Sequence, residues 1–253
     1  MSLPTVRYVH LEKDHNLKDP TELVPIILQL FQPKTVCDVG CAIGTFLHVF
    51  KNAGKEVMGF DGPWVNRQLL NKYLSDAEFC EVDFEKAFPA VEKNFDLALC
   101  LEVAEHLRET NADNLIRFLT SLSETVIFSA AIPFQGGDNH YNERWEDYWE
   151  KKFNDLGYKK FDLIRHKIWS NKDIKWWYRQ NTVVYSKKDL SDLPSVSFEG
   201  VITRECYENK IAMLSNFSGL VTPTPWKALK LSTKTIFRKL MGEEAYHRMM
   251  GKR

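Results

Sequence analysis

The chain has 253 residues, of which 44% are hydrophobic and 27% charged, a composition that excludes disorder and suits one large α/β domain with or without an appendage. Lys and Arg number 34 and balance 34 Asp and Glu, so no overall positive charge draws the protein to nucleic acid. No apolar run approaches the ~20 residues that a membrane-spanning helix needs, and the N-terminus lacks the pattern of a signal peptide. Five cysteines without a regular framework predict reduced thiols in a cytoplasmic protein.

Apolar runs of strand length alternate with stretches of helical periodicity as far as Ser186. The run FDLALCL at 95–101 is continuously apolar, as in a parallel strand that is covered on both faces. This alternation predicts βαβ units and therefore a parallel, doubly wound sheet. The predicted strands are 35–39, 56–61, 79–83, 95–101, 124–132, 158–165 and 176–186, and the predicted helices are 19–31, 44–53, 66–74, 111–122 and 145–156.

The pattern changes near Lys187, where prolines punctuate a looser stretch. From Trp226 the sequence has the periodicity of an amphipathic helix, and residues 226–253 carry eight Lys or Arg and two Glu. We therefore predict a domain of residues 1–188 and a C-terminal helical extension of residues 189–253. The apolar face of this extension favours packing on the domain or on a second subunit. Its basic face would also suit an anionic membrane surface or RNA phosphates.

A glycine turn follows the first predicted strand, in the segment VCDVGCAIGTFLHVF at 36–50. Asp38 ends the strand, and Gly40 and Gly44 let the backbone turn sharply and approach a ligand closely. The helix that follows offers N–H groups to an anionic part of that ligand. The segment therefore predicts a cofactor site, the alternative being a plain turn between a strand and a helix.

Acids also close the next two predicted strands. Asp61, followed by Gly62, lies ~20 residues beyond the glycines, where folds of this kind place a carboxylate on ribose hydroxyls. Asp83 is placed to accept a hydrogen bond from an adenine amino group, with Phe84 beside the ring. The alternative role for Asp83 is to cap a helix before Glu85.

Three details favour S-adenosylmethionine over a nicotinamide dinucleotide. The turn has the spacing Gly-x-x-x-Gly rather than Gly-x-Gly-x-x-Gly. Asp38 stands two residues before the first glycine, where it would face the cationic ammonium end of the cofactor. The third detail is Asp83, which gives an acid at the end of the third predicted strand as well as at the ends of the first two.

Residues 36–44, 58–62, 81–84 and 95–107 together resemble the ordered motifs of class I S-adenosylmethionine-dependent methyltransferases. The resemblance covers residues 20–186. It implies a Rossmann-like α/β fold with a seven-stranded sheet of order 3-2-1-4-5-7-6, in which strand seven is antiparallel. Ala42 departs from the pattern, since many members have glycine there. The cofactor-binding residues that the resemblance implies are Asp38, Gly40, Cys41, Gly44, Asp61, Gly62, Asp83, Phe84, Leu101 and Glu102.

The fourth predicted strand ends in LEVAEHL, in which a helical turn would gather Glu102, Glu105 and His106. Similar segments occur in small-molecule O-methyltransferases and in small-RNA 3′-terminal 2′-O-methyltransferases. In the RNA enzymes two such acids, the histidine and a later histidine hold Mg²⁺, and His140 matches the later one. The alternative is that Glu102 contacts the methionine ammonium group and that His106 packs and caps a helix.

A hydroxyl acceptor needs a base to remove its proton. His140 is the first candidate, because it lies on a Gly-rich loop after the fifth strand, and His106 is the second. The alternative for His140 is a surface position with no chemical role. The segments at 135–149 and 176–181 resemble methyltransferases of sugar and surface-glycan pathways. They contain aromatic side chains that would either offer flat faces to a sugar ring or pack in the core, namely Trp145, Tyr148, Trp149, Trp176 and Tyr178.

Three classes of function follow. The first is O-methylation of a saccharide or another small hydroxylated metabolite. The second is RNA 2′-O-methylation with a metal ion, which the zero net charge disfavours. The third is a non-catalytic S-adenosylmethionine-binding protein.

Overall fold

The structure is a computed structural model that describes residues 11–221. Seven strands form one sheet of order β3-β2-β1-β4-β5-β7-β6, in which β7 is antiparallel to both of its neighbours and the other pairings between β1 and β5 are parallel. The predicted fold class and strand order are therefore confirmed. The strands are β1 (Thr35–Val39), β2 (Glu56–Asp61), β3 (Phe79–Glu81), β4 (Leu97–Leu101), β5 (Thr125–Ser129), β6 (Lys159–Phe161) and β7 (Val183–Ser186).

Helices cover both faces of the sheet, and each face has its own apolar core. Leu115 and Phe153 belong to the core on one face, while Leu23, Phe50 and Ile168 belong to the core on the other. The strands β4 and β5 are buried at every position, because both layers of helices pack on them. The helices are α1 (Lys18–Phe31), α2 (Thr45–Asn52), α3 (Arg67–Leu70), α4 (Glu109–Leu122), α5 (Glu146–Asn154), α6 (Arg165–Ile168), α7 (Trp176–Asn181) and α8 (Arg204–Val221).

The predicted seventh strand is wrong in its first half, since residues 176–181 form the helix α7. The buried Arg179 explains the difference, because its guanidinium donates to the carbonyl oxygens of Ile174 and Trp169. These contacts fold the chain back on itself instead of extending it along β5. The predicted strand at 158–165 is likewise limited to β6 and is followed by α6.

The chain divides into two compact units, Met1–Cys206 and Tyr207–Arg253. The first unit includes the segment 189–203, which we call the strap. The side chain of Asp162 accepts a hydrogen bond from the N–H of Phe198 at 2.9 Å, and that of Gln180 accepts one from the N–H of Thr203 at 2.8 Å. The predicted boundary at residue 188 stays a prediction, and the amphipathic helix predicted from Trp226 lies outside the described residues.

No helix within residues 11–221 is both long enough and apolar enough to cross a membrane.

Candidate active site

The glycine turn after β1 has a shape that only glycine fits at two positions. Gly40 and Gly44 have φ values of 82° and 84°, in the left-handed region. A Cβ atom on Gly40 would lie 2.3 Å from Val103, and one on Gly44 would lie 2.7 Å from Leu74. Ala42, the departure from the family pattern, also has a positive φ of 52°, which costs an L-residue about 1 kcal/mol.

Asp61 connects this turn to the end of β2. Its carboxylate accepts hydrogen bonds from the N–H of Ala42 at 2.7 Å and from the N–H of Gly62 at 2.6 Å. The side chain is only 5% exposed. The predicted ribose-binding acid is therefore fixed beside the turn that is predicted to bind the methionine part of the same cofactor.

Asp38 is a buried acid close to Asp61. Burial, with a further contribution from the negative charge of Asp61, raises the pKa of Asp38 to about 7. A cationic ligand beside these acids would offset the cost of holding two carboxylates out of water. S-adenosylmethionine carries an ammonium and a sulfonium group, so the charge of the site fits that cofactor.

The other predicted cofactor residues have contacts of their own. Cys41 and Leu101 are buried, and burial raises the pKa of the Cys41 thiol well above its usual range. Asp83 lies two residues beyond β3, where its carboxylate accepts from the N–H of Glu85 and pairs with Lys86. These contacts close a turn at residues 84–86. No helix begins in the described segment between β3 and β4, so the alternative role as a helix cap is not confirmed.

Phe84 lies in the apolar core, where its ring is 5.4 Å from that of Phe88 and 5.7 Å from that of Phe118. The adenine-binding roles of Asp83 and Phe84 stay predictions.

Glu102 follows β4 and is held in an unusual backbone conformation, with a φ of 55°. Its N–H donates to the carbonyl oxygen of Ser129 at the end of β5. Its carboxylate accepts a hydrogen bond from Gln135 at 2.9 Å and one from Asn181 at 3.1 Å. Burial raises the pKa of Glu102, and these two amides oppose the shift. Gln135 and Asn181 were not predicted as site residues, because they reach Glu102 from distant parts of the chain.

Glu105, His106 and His140 form a cluster next to Glu102. One ligand atom from each of the three side chains lies within 4.8 Å of those of the other two. Glu105 is fully buried next to the carboxyl group of Glu102, and within residues 11–221 no donor meets the distance and angle limits of a hydrogen bond to either of its carboxylate oxygens. Burial, together with the charge of Glu102, raises the pKa of Glu105 well above its usual range. Three of the four candidate metal ligands thus come together, while Glu102 lies outside this cluster.

This cluster partly fits a divalent ion. Two atoms bound to one ion at about 2.2 Å are at most about 4.4 Å apart, so the cluster would need at most a small closure. A buried carboxylate is a suitable ligand, but two imidazoles favour transition metals over Mg²⁺. The site therefore suits Mn²⁺ or Zn²⁺ better than the predicted Mg²⁺.

A carboxylate that the sequence analysis missed orients His140. Glu143 accepts a hydrogen bond from His140 Nδ1 at 2.9 Å and also accepts from the N–H groups of Phe134 and Gly136, each at 2.7 Å. With Nδ1 donating, Nε2 of His140 carries the lone pair. The sequence does contain a signal for this pair, because Glu143 follows His140 by three residues.

The loop that carries His140 is fastened to the turn that carries Glu105. The backbone oxygen of Glu105 accepts hydrogen bonds from the N–H groups of Tyr141 and Asn142. The rings of His106 and His140 meet edge to face, with their centroids 4.7 Å apart. Both candidate bases therefore lie at the carboxyl ends of β4 and β5, the edge at which parallel sheets bind ligands.

The five aromatic candidates divide between core and surface. Trp149 is 2% exposed and packs in the core, as the alternative interpretation predicts. Tyr148 and Tyr178 pack against the two cores from partly buried positions, and Trp176 is half-buried. Trp145 is 53% exposed and is the candidate best placed to meet a ligand.

Comparison with known proteins agrees with this geometry. The sequence profile of a family described as "Methyltransferase domain" matches residues 12–181. Searches of curated protein sequences gave no match.

Many solved structures share the fold. The sugar N-methyltransferase KedS8 from Streptoalloteichus is 10% identical, with a TM-score of 0.54 over 75% of this chain and 98% of that one. An S-adenosylmethionine-dependent methyltransferase from Archaeoglobus fulgidus is 16% identical, with a TM-score of 0.51 over 70% of this chain and 97% of that one.

Human N-acetylserotonin methyltransferase, in complex with S-adenosylmethionine, is 15% identical, with a TM-score of 0.47. The match covers 68% of this chain and 52% of that one, so the present chain spans about half the length of the human enzyme. The matched profile, the strand order and the acid-lined glycine turn together lead to one conclusion. The chain belongs to the methyltransferase-domain family and has the class I, S-adenosylmethionine-dependent methyltransferase fold.

Proposed function

We propose that the protein transfers the methyl group of S-adenosylmethionine to a hydroxyl group of a saccharide or another small hydroxylated metabolite, with His140 as the general base. The observation that carries the proposal is the pair of His140 and Glu143, at the same edge of the sheet as the cofactor acids. When bound, S-adenosylmethionine supplies a methyl group on a positively charged sulfur, ready for in-line displacement.

The acids of the first two strands bind the cofactor in this proposal. Asp38 faces the ammonium group, and Asp61 accepts hydrogen bonds from the ribose hydroxyls. The residues after β4 and β5 act on the acceptor. His140 Nε2 takes the proton of the acceptor hydroxyl as the new bond to oxygen forms, and Glu143 stabilises the resulting imidazolium.

Two side-chain amides hold the carboxylate of Glu102 in place beside the residues that would act on the acceptor. Gln135 and Asn181 bind each other at 2.9 Å as well as binding Glu102. Because alignment of the acceptor accounts for much of the rate in methyl transfer, this rigid set of side chains supports a positioning role for Glu102.

A second candidate function is methylation of an RNA 2′-hydroxyl with a divalent ion. The clustering of Glu105, His106 and His140 favours it. A bound ion would lower the pKa of the acceptor hydroxyl, and His140 would then be a ligand instead of a base. The balanced charge of the chain continues to disfavour RNA.

The test is incubation with S-adenosylmethionine that carries a radiolabelled methyl group, with separate pools of glycans, RNA and small phenols. We expect label in the glycan or small-metabolite pool. Glu143→Gln should lower the rate by about 10²-fold, because it no longer stabilises the imidazolium. Asp138→Asn, an exposed change in the same loop, is the matched control and should leave the rate unchanged. Label in RNA alone, or equal rates for the two variants, would contradict the proposal.

A further inference from the structure

Buried amide side chains join the strap to Glu102 by an unbroken chain of hydrogen bonds. Gln180 Oε1 accepts from the N–H of Thr203 at 2.8 Å and from its hydroxyl at 3.1 Å. Gln180 Nε2 donates to Asn181 Oδ1, and Asn181 Nδ2 donates to Glu102 Oε1, both at 3.1 Å. A residue of the strap is therefore connected to a carboxylate of the candidate active site through two consecutive side chains of α7.

Gln135 completes a ring of hydrogen bonds around the carboxylate of Glu102. Its Nε2 donates to Glu102 Oε2 at 2.9 Å, and its Oε1 accepts from Asn181 Nδ2 at 2.9 Å. The same Oε1 accepts a longer hydrogen bond, of 3.3 Å, from the N–H of Ile132. Each oxygen of Glu102 is therefore held by a different amide.

The four uncharged side chains of this network have little access to water. Thr203 and Gln180 are each 2% exposed, Asn181 is 7% exposed and Gln135 is 9% exposed. A buried polar atom that turned away from its partner would lose a hydrogen bond without gaining one to water. The arrangement in which every partner is kept is therefore strongly favoured.

Backbone N–H groups fix the direction of each amide. Because a backbone N–H can only donate, Thr203 requires the oxygen of Gln180 on its side, which turns the NH₂ group of Gln180 toward Asn181. Asn181 then presents its oxygen to Gln180 and its NH₂ group to Glu102. The N–H of Ile132 fixes Gln135 in the same way. A change at residue 180 would therefore be transmitted to the amide that holds Glu102.

Thr203 is itself held at the start of α8. Its hydroxyl oxygen accepts a hydrogen bond from the N–H of Cys206 at 3.2 Å, as a helix cap does. A separate contact fastens the strap nearer its middle, where the hydroxyl of Ser195 donates to the carbonyl oxygen of Asp162 at 3.2 Å. The strap thus has two kinds of attachment, and only the one at Thr203 belongs to the network around Glu102.

We propose that Gln180 is a positioning residue for methyl transfer, and that Thr203 holds it in the orientation that directs the amide of Asn181 at Glu102. The inference rests on the proposed function, because that function places Glu102 beside the groups that act on the acceptor. It implies that the strap, which lies beyond the predicted domain boundary at residue 188, takes part in the reaction through Gln180 and Asn181.

The experiment follows the side-chain amide signals of Asn181 and Gln135 by NMR of the ¹⁵N-labelled full chain. Gln180→Met removes the amide at nearly the same length, so Asn181 loses the donor that fixes its direction. We expect both amide signals to shift. The rate of label transfer from S-adenosylmethionine, in the acceptor pool that the unaltered protein labels, should fall about tenfold, because alignment accounts for much of the rate.

Cofactor affinity separates a positioning role from a general loss of structure. Gln180→Met leaves Asp38 and Asp61 unchanged, so the affinity for S-adenosylmethionine, measured by calorimetry, should change by less than about twofold. A variant that was partly unfolded would lose rate and affinity together.

Two further variants identify the attachment that matters. Thr203→Val removes the hydroxyl donor and keeps the backbone N–H, so it should shift the same amide signals and lower the rate to a smaller extent. Ser195→Ala is the matched control, because it removes a hydrogen bond of the strap outside the network. It should leave both the amide signals and the rate unchanged.

Several results would overturn the inference. These are unmoved amide signals in Gln180→Met, a rate equal to that of the unaltered protein, a loss of cofactor affinity as large as the loss of rate, or changes of the same size in Ser195→Ala. If circular dichroism shows that Gln180→Met is unfolded, Thr203→Val decides by the same measurements. Failure of the proposed function shows separately, as an absence of label in every pool from the folded, unaltered protein.

Discussion

Neutralising Asp38 should make the ligand-free protein more stable while weakening its hold on the cofactor. Asp38 is 4% exposed, and its burial near Asp61 raises its pKa to about 7. In the unfolded chain the pKa of Asp38 is near 3.8. Between pH 3.8 and about 7, Asp38 is therefore protonated in the folded protein and ionised in the unfolded chain. The contribution of Asp38 to the stability of the folded state therefore falls as pH rises from 3.8 to about 7 and is then level.

The size of the effect follows from that shift. One pKa unit is 1.36 kcal/mol, so the charge of Asp38 costs up to about 4 kcal/mol above pH 7 and about 2 kcal/mol at pH 5.5. Asp38→Asn removes the charge at constant shape. Its gain in the free energy of unfolding should grow by about 2 kcal/mol between pH 5.5 and pH 8.

Urea unfolding of both proteins at the two pH values measures this difference. Asp96→Asn is a control for which the opposite change in the free energy of unfolding is expected. Hydrogen bonds from the N–H groups of Lys34 and Thr35 lower the pKa of Asp96, so its ionised form stabilises the fold. That substitution should destabilise the protein. If Asp38→Asn instead lowers stability at pH 8, or changes it equally at both pH values, burial does not destabilise the ionised form of Asp38.

Ionisation of Asp38 should strengthen cofactor binding, although it destabilises the ligand-free protein. A cationic ligand favours the ionised form of Asp38, so the affinity of the unaltered protein for S-adenosylmethionine should rise as pH increases through 7, and binding should release a proton. Calorimetry in two buffers of different ionisation enthalpy measures that release. An affinity that does not change between pH 6 and pH 8 would place Asp38 away from the cationic end of the cofactor.

Three further predictions concern the turn, the strap and the metal. Gly40→Ala should abolish cofactor binding, because its Cβ would lie 2.3 Å from Val103 at a φ of 82°; tight binding by this variant would refute the account of the turn. A chain that ends at residue 188 should unfold at a lower temperature than the full chain, since it lacks the hydrogen bonds from the strap to Asp162 and Gln180; equal melting temperatures would support the boundary at 188. Methyl transfer should survive a chelator if His140 is a base, and its loss, with recovery on adding Mn²⁺ or Mg²⁺, would show that the cluster holds a metal.

The turn and the acids that we assign to the cofactor could be placed in the fold from the sequence, because their signals are local. The spacing of Asp38, Gly40 and Gly44 lies within one turn, and Asp61 ends the next strand. Their positions follow from a strand, a tight turn and a helix, whose geometry is the same wherever it occurs. The strand order also followed, since the ordered motifs resemble one family.

The residues that we assign to the acceptor were harder to predict, because contacts between distant parts of the chain bring them together. Asn181 reaches Glu102 across 79 residues of chain, and Gln135 reaches it across 33. Nothing in the pattern around Asn181 predicts this contact, and the helix α7 that positions it was predicted as a strand. Helices as short as six residues are set by their packing more than by their own periodicity.

The most direct test of the account is a calorimetric titration of the folded protein with S-adenosylmethionine and with S-adenosylhomocysteine. We predict one molecule bound per chain, and a strong loss of affinity in Asp61→Ala, which removes the carboxylate that accepts hydrogen bonds from Ala42 and Gly62. Circular dichroism of the variant would confirm that it is folded. Failure of the folded, unaltered protein to bind either compound would contradict the assignment of the cofactor site and, with it, the proposed function.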